Sequence, residues 1–266
     1  MREPLVSDST YFFDPETYDQ VYAGFTADLP HYLELVKHSG GAVLEVACGN
    51  GRLLIPALEA GVACDGLDYD RGMLDDLRRK LAASGRAASL FEADMRDFTL
   101  SGRYALITIA FNSFLHNLTQ EDQLATLRCC LRHLEPGGRL AIIVFHPSAA
   151  KLVALAEGEI LAVDQPLAVG RIRVYDHSDD DRVEQTRLVT RRIEYLDAAG
   201  RVAAGKTFRF RLRYVFKPEM ELLLRAAGFA RWDMRPLFSN YSDPASAAGG
   251  RAAREGDNLL WTAWKT

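Results

Sequence analysis

The sequence predicts an α/β protein: a parallel sheet with helices on both faces, an N-terminal helical lid, and an antiparallel β insertion after the fifth strand. Three observations predict it. Between about Gly40 and Phe145, short apolar runs alternate with helical patterns, the signature of βαβ units. Most of those runs are apolar nearly throughout, as expected of parallel strands covered on both faces. From residue 169 to 214 the texture changes to polar–apolar alternation, the period of a sheet with one wet face.

Taken in order, residues 11–37 read as one or two helices carrying Tyr11, Phe12, Phe13, Tyr18, Tyr22 and Phe25. Strands are expected at Ala42–Ala47, Val62–Leu67, Ala88–Phe91, Tyr104–Ala110 and Leu140–Phe145, with helices at Arg52–Ala60, Arg71–Ala83 and Glu121–Leu134. The last helix meets Glu135-Pro136-Gly137-Gly138, where Pro and Gly stop it and turn the chain into the fifth strand. In the insertion, strands fall at Arg171–Tyr175, Gln185–Tyr195 and Lys206–Tyr214, with turn residues at Asp179–Asp181 and Ala198–Gly200. A helix over Lys217–Ala227 stops at Gly228. Strands Ala230–Arg235 and Asn258–Trp264 follow, separated by an Ala/Gly-rich loop at Pro244–Gly256. The organisation predicted is a lid over residues 1–40, a core over 41–147 and 215–266, and an insertion over 148–214 serving the substrate or an oligomer contact.

At 266 residues and 48% hydrophobic, the chain can bury one sizeable core. The net charge of −4 argues against a nucleic-acid partner, since phosphate binding draws on clustered Lys and Arg. The opening MREPLVSDST lacks the apolar core of a secretory signal, and the longest apolar stretches are too short to span a bilayer. Cys48, Cys64, Cys129 and Cys130 show no metal or disulfide pattern, which fits a reduced, cytoplasmic enzyme.

The strongest local signal is Val43-Leu44-Glu45-Val46-Ala47-Cys48-Gly49-Asn50-Gly51-Arg52-Leu53: a strand, a tight Gly turn, a helix. Gly49 and Gly51 let the backbone approach a ligand closely, beyond the carboxyl ends of the strands. Asp68 ends the second strand in Gly66-Leu67-Asp68-Tyr69-Asp70, where a carboxylate can accept from two ribose hydroxyls; a plain helix N-cap is the alternative. Asp94-Met95 follows the third strand, where a carboxylate can accept from an adenine amine or stand as a solvated loop acid. A dinucleotide fingerprint would need a third Gly, and that position is Leu54. Glu45, inside the first strand, suits a cofactor that carries an ammonium group.

These motifs resemble the class I S-adenosylmethionine-dependent methyltransferases over roughly residues 15–145, including Asp94-Met95-Arg96-Asp97-Phe98 and the turn Glu135-Pro136-Gly137-Gly138-Arg139-Leu140. Within that family the chain is most similar to bacterial small-molecule N-methyltransferases, including those that dimethylate amino sugars. The resemblance implies a Rossmann-like sheet and S-adenosyl-L-methionine as cofactor. It implies Glu45 near the methionine ammonium, Ala47, Gly49 and Gly51 lining the methionine moiety, and Asp68 on the ribose with Tyr69 beside it. Met73 would pack near the adenine, Asp94 accept from its amine, and the Met95 N–H meet a ring nitrogen. The Phe111 backbone would meet the ammonium, and a Tyr18 or Tyr22 hydroxyl the cofactor's carboxylate or the acceptor. Many members have Gly where this chain has Ala47, which narrows the room for the loop.

A neutral amine attacks an activated methyl directly, whereas a hydroxyl usually needs a base or metal. No metal cluster is evident; the densest acids, Asp179-Asp180-Asp181, read as a solvated hairpin tip. His116 follows the fourth strand, where it can line an acceptor pocket, act as base, or make a structural hydrogen bond. His146 ends the fifth strand, and His31, His38, His133 and His177 read as surface residues. Tyr18 and Tyr22 share a helix face and can close a pocket or simply pack. Arg209, Arg211 and Arg213 alternate with apolar residues, giving a basic strand face that either meets an anionic acceptor or pairs with Glu184 or Glu194. The expected activity is methyl transfer to a small-molecule amine. The alternatives are an O- or C-methyltransferase with His116 as base, and a non-catalytic cofactor-binding protein. No nucleic-acid or membrane partner is expected, and a homodimer is left open.

Overall fold

The computed structural model describes residues 14–22, 24–145, 158–237 and 258–266. In chain order the helices are α1 (Pro15–Tyr22), α2 (Leu29–Lys37), α3 (Leu54–Glu59), α4 (Arg71–Ala83), α5 (Gln120–His133) and α6 (Lys217–Ala227). The strands are β1 (Val43–Val46), β2 (Cys64–Asp68), β3 (Leu90–Glu92), β4 (Tyr104–Ile109), β5 (Leu134–Phe145), β6 (Ile160–Pro166), β7 (Arg171–Asp181), β8 (Thr186–Leu196), β9 (Val202–Arg213), β10 (Arg231–Pro236) and β11 (Asn258–Trp264). The chain divides into two compact units, Thr26–His146 with Val215–Thr266, and Met1–Phe25 with Pro147–Tyr214.

The first unit is a seven-stranded sheet in the order β10-β11-β5-β4-β1-β2-β3. Strands β1 to β5 are parallel, and β11 enters antiparallel between β5 and β10. All four residues of β1 are buried, as its near-continuous apolar run requires. The helix α4 forms because Met73, Leu74, Leu77 and Leu81 fall on one face and are buried. Its N-cap is Asp70, whose Oδ1 accepts from Met73 N at 2.8 Å. The helix α5 starts at Thr119, whose Oγ1 accepts from Asp122 N at 3.1 Å, and carries Glu121 and Asp122 in its first turn against Arg132 and His133 in its last. Gly228, at φ 102°, ends α6 in the left-handed conformation that glycine adopts without strain.

One boundary differs from expectation. The segment Glu135–Gly138 is not a separate turn: β5 begins at Leu134, directly after α5. Leu134 pairs with Tyr104, and the register slips before Arg139 pairs with Leu106, so the Pro-Gly-Gly sequence is absorbed as a bulge. His133 is likewise not a surface residue. It is buried, its Nε2 accepting from Leu100 N at 3.0 Å while Nδ1 lies 2.8 Å from the Cys129 carbonyl.

The second unit is a four-stranded antiparallel sheet in the order β6-β7-β8-β9, with α1 packed on it. Lys206 Nζ donates to Asp14 Oδ2 at 2.7 Å and to Thr17 Oγ1 at 2.8 Å, pinning the start of α1 to β9. Strand β6 was not expected; its bulged register with β7 breaks the period that marks the other three. Asp179–Asp181 are not turn residues: they end β7, and the turn lies at residues 182–185. Asp180 is no solvated tip either, since its carboxylate is buried and takes a bidentate pair from Arg187 at 2.7 and 3.1 Å. The expected basic stripe is broken at Arg213, which is buried and donates to Gln185 Oε1, while Glu194 pairs with Arg192 rather than with Arg209 or Arg211. Among the described residues, no helix is long and apolar enough to cross a membrane.

Candidate functional site

The sheet order places β1 between β2 and β4, so the chain winds outward in both directions from it. In open α/β sheets, ligands settle at this reversal, outside the carboxyl ends of the strands. The turn after β1 is built for close approach. Ala47, Gly49 and Gly51 all take positive φ, at 58°, 53° and 90°. A Cβ at Gly49 would meet nothing within 4 Å, so this part of the turn faces open space. At Gly51 a Cβ would lie 2.4 Å from Leu77 Cδ1 and force that side chain to move, and the φ of 90° favours glycine in any case. Ala47 is the exception: a residue with a side chain carries a steric cost in this conformation. Its effect is therefore on the backbone at least as much as on the space above the loop.

Two acids stand at the tips of neighbouring strands. Asp68 ends β2 and is buried. Its Oδ2 accepts from Gly49 N at 2.7 Å and its Oδ1 from Asp70 N at 2.8 Å, which locks the carboxylate across the mouth of the Gly turn. Burial pushes its pKa up to about 6 against these hydrogen bonds. The Tyr69 backbone N–H bonds the carboxylate as well, and the lone-pair capacity that remains is what a ligand hydroxyl can use. The helix N-cap is Asp70 and not Asp68, whose structural part is instead to tie the Gly turn to the start of α4. Glu45, in β1, is 3% exposed and accepts from the Tyr32 hydroxyl at 3.0 Å. Burial raises its pKa to about 8, partly offset by the Tyr32 hydrogen bond and the nearby Arg52 cation. Tyr69, beside Asp68, is 45% exposed, and Met73 is buried in the first turn of α4. Open space at Gly49 beside two buried acids suits a ligand carrying a diol and an ammonium group.

Asp94, two residues past β3, is differently placed. Arg96 grips its carboxylate through Nε at 3.0 Å and Nη2 at 2.5 Å and also reaches Asp122 at 3.4 Å. Met95 is tied in through its sulfur, which accepts from Asn117 Nδ2 at 3.4 Å. After β4, Phe111 and Asn112 are both left-handed, at φ 55° and 66°. Asn112 holds this pair against β5, its Oδ1 accepting from Phe145 N at 2.7 Å and its N–H donating to the Ile143 carbonyl at 3.1 Å. His116 ends the short 3-10 turn Ser113–His116 and is half-buried. Asn117 anchors that turn, its Oδ1 accepting from Thr126 Oγ1 at 3.0 Å.

The core thus carries Glu45, Ala47, Gly49, Gly51, Asp68, Tyr69, Met73, Asp94, Met95, Phe111 and His116 along one edge, in or after the carboxyl ends of β1 to β4. Tyr18 and Tyr22 belong to the other unit. Their rings lie 4.7 Å apart, and the Tyr22 oxygen accepts from Arg191 Nη1 at 2.6 Å, with Arg191 also paired to Asp176. His146, residues 11–13 and the Pro244–Gly256 loop lie outside the described residues.

Sequence reasoning missed three residues of this edge. Asp28 precedes α2 in an N-cap position but instead clamps Arg52 with two bonds, at 2.9 and 2.6 Å. Arg52 lies 4.2 Å over the Phe111 ring, linking the turns after β1 and β4. Its position directly after Gly51 was the available signal. Tyr32 reads as an ordinary core aromatic of an amphipathic helix, and nothing in its spacing reveals its bond to Glu45.

Residues 43–138 match a protein family described as a methyltransferase domain. The chain is 30% identical over 191 residues to the cypemycin N-terminal methyltransferase of a Streptomyces species, covering 70% of this chain and 74% of that one. It is also 30% identical over 139 residues to the dTDP-3-amino-3,4,6-trideoxy-alpha-D-glucopyranose N,N-dimethyltransferase of Streptomyces venezuelae, covering 50% of this chain and 56% of the relative. The chain therefore matches only about half the length of that second relative. In fold it is similar to the crystal structure of Streptomyces venezuelae DesVI, with a TM-score of 0.70 at 20% identity, over 96% of this chain and 99% of that one.

Proposed function

Because the chain belongs to the class I S-adenosylmethionine-dependent methyltransferases, and so takes S-adenosylmethionine as its cofactor, we propose that it methylates an amine nitrogen of a small molecule. The observation that carries this is the chemistry named for the two relatives: one works at an N-terminus, the other on the nitrogen of an amino sugar. The cofactor supplies a methyl group already activated on sulfur, so the protein's task is alignment and exclusion of water. In this reading Asp68 holds the ribose hydroxyls with Tyr69 alongside, and Glu45 and the Phe111 backbone face the methionine ammonium. Ala47, Gly49 and Gly51 border the methionine chain. Met73, Asp94 and the Met95 N–H receive the adenine, with Asp94 sharing its carboxylate between the ring amine and Arg96. Tyr18 and Tyr22 belong to the lid side, with one hydroxyl for the cofactor's carboxylate or the acceptor.

A neutral amine has its lone pair available, so a new N–C bond forms as the S–C bond breaks, and the nitrogen then sheds a proton. A ring nitrogen of His116 is the group proposed to take it. A cytoplasmic, reducing setting belongs to the same proposal, since the four cysteines are free and buried. The test is transfer of labelled methyl to a panel of small amines, phenols and carbon acids. Label on amines only is the expected result. Label on phenols or carbon acids, lost in His116→Ala, would replace the amine reading with an oxygen or carbon acceptor. Cofactor binding with no transfer to any acceptor would leave a binding protein.

A further inference from the structure

We infer that Tyr32 is a positioning residue for the cofactor: its hydroxyl fixes the carboxyl of Glu45 for the incoming ammonium and eases the ionisation that capture requires. The inference rests on the placement of Glu45 at the ammonium proposed above. Tyr32 is fully buried in α2, and its hydroxyl donates to Glu45 Oε2 at 3.0 Å. Glu45 pairs in register with Gly66 on β2 and Thr108 on β4, and the Tyr32 hydroxyl that reaches it also lies 3.9 Å from Cys64 Sγ on β2. The carboxyl is thereby held by one oxygen, and the other is left to be aimed.

The charged and titratable groups around Glu45 come from every neighbouring element. They are Tyr32 from α2, Asp28 just before it, Cys48 and Arg52 from the turn after β1, and Cys64 and Asp68 from β2. Burial is the largest influence and favours the neutral acid, with Asp28 and Asp68 acting the same way. Tyr32 and Arg52 oppose it. With a value near 8, Glu45 is mostly protonated at pH 7 in the free protein. An ammonium beside it favours the carboxylate, so binding expels the proton. Losing the Tyr32 hydroxyl removes a donor to the charged form, so the acid becomes harder to ionise and the cofactor binds more weakly.

The experiment is calorimetry with S-adenosylmethionine in two buffers of different ionisation enthalpy between pH 5.5 and 7. That range stays below the titration of the ligand's own amino group, at roughly 7.7–8.0 for an α-amine. The wild type should release close to one proton, and its affinity should rise about tenfold per pH unit. Near pH 7, where Asp68 is already mostly ionised, Glu45→Gln should bind with little proton release, and the steep rise of affinity with pH should shrink to the part that Asp68 contributes at the acid end. Tyr32→Phe should bind about tenfold more weakly at pH 7, the loss expected for a hydrogen bond to a charged group. Its Glu45 carboxyl, followed by carbon NMR in the free protein, should titrate at higher pH than in the wild type. A Tyr32→Phe protein with wild-type affinity and an unmoved Glu45 midpoint overturns the inference, while an effect of Glu45→Gln in the same experiment leaves the Glu45 assignment standing. Silence of Glu45→Gln sinks the assignment itself. If Tyr32→Phe does not fold, absence of proton release by the wild type overturns the inference alone.

Discussion

The acids of the antiparallel unit and two buried acids of the core use their carboxyls in opposite ways, although the core also has arginine-paired acids in Asp28 and Asp94. In the unit of β6 to β9, acids meet guanidinium groups: Asp180 with Arg187, Asp176 with Arg191, Asp164 with Arg171 and Arg173, and Glu159 with Arg192. There Arg171 beside Asp164 and Arg192 beside Glu159 hold those carboxyls below their usual range. In the core, Asp68 and Glu45 are buried with backbone N–H groups or a tyrosine hydroxyl as their hydrogen-bond partners, and both are pushed up. A carboxylate already neutralised by arginine has little charge left to offer a ligand, though it can still accept from a neutral donor, as proposed for Asp94. One buried against hydroxyl and amide donors still favours a cation or a donor that arrives. The contrast separates acids that hold a sheet together from acids kept ready at the edge of one.

The largest expected effect would break the contrast on the structural side. Asp180 and Arg187 are 3% and 6% exposed in their side chains, so removing one partner strands a buried charge. Asp180→Ala should cost about 3–5 kcal/mol in stability, read from denaturant midpoints. Cofactor affinity measured below the transition should stay within about twofold, because the substitution touches no cofactor group. A stability loss under about 1 kcal/mol would mean that the pair is better solvated than its geometry shows.

On the other side, Asp68→Asn keeps the size of the side chain and removes its charge. Hydrogen bonds to a charged group contribute about 1.5–3 kcal/mol, so the cofactor should bind roughly 10- to 100-fold more weakly. The melting temperature should fall as well, because the Nδ2 that replaces one oxygen cannot accept from the Gly49 or Asp70 N–H. Calorimetry and a thermal melt on the same variant separate the two, and unchanged affinity would end the ribose assignment.

The pH dependence of stability sharpens the comparison further. The folded values of Glu45 and Asp68, about 8 and about 6, lie above the unfolded carboxylate range. The unfolded chain therefore binds fewer protons at these sites, and stability falls as pH rises from about 4.5 towards 8. The arginine-paired acids work in the reverse sense, since their folded values are lowered and their contribution fades only below about pH 4. Cofactor-free protein should thus melt several degrees higher at pH 5.5 than at pH 8. Glu45→Gln should flatten most of that slope, and a slope identical to wild type would contradict the burial argument.

Much of this was legible in the sequence, and the failures have physical causes. Helices Arg71–Ala83 and Lys217–Ala227 and strand Asn258–Trp264 were read to the residue, because clear periodicity coincides there with a cap or a Gly stop. The parallel sheet followed from near-continuous apolar strand runs, and its Rossmann-like form from the family resemblance. Missed features depend on partners that local composition does not reveal, some across a hairpin and some far along the chain. Whether Asp179–Asp181 form a turn is decided by Arg187, Leu188 and Thr186 across the ladder, not by three consecutive acids. His133 is buried because Leu100, 33 residues away, donates to it. Tyr32 meets Glu45 across 13 residues and an intervening turn, and helical spacing alone files it as packing. Local chemistry marks the turn and the acids that end strands; it does not reveal which core aromatic reaches them.

The smallest expected effect concerns Ala47, where the sequence suggested a crowded loop and the structure shows a left-handed residue instead. A non-glycine residue in that conformation costs roughly 1–2 kcal/mol. Replacing it with glycine relieves that cost but frees the unfolded chain, a loss of about 0.4–1 kcal/mol. The balance for Ala47→Gly is therefore a gain near 0.5–1 kcal/mol, enough to move a thermal midpoint by a degree or two. Cofactor affinity should change by less than about threefold, because Gly49 and Asp68 already fix the turn through the 2.7 Å bond between them. If instead affinity drops about tenfold with stability unchanged, the alanine methyl is packing against the ligand, and the strain at this position belongs to binding rather than to folding.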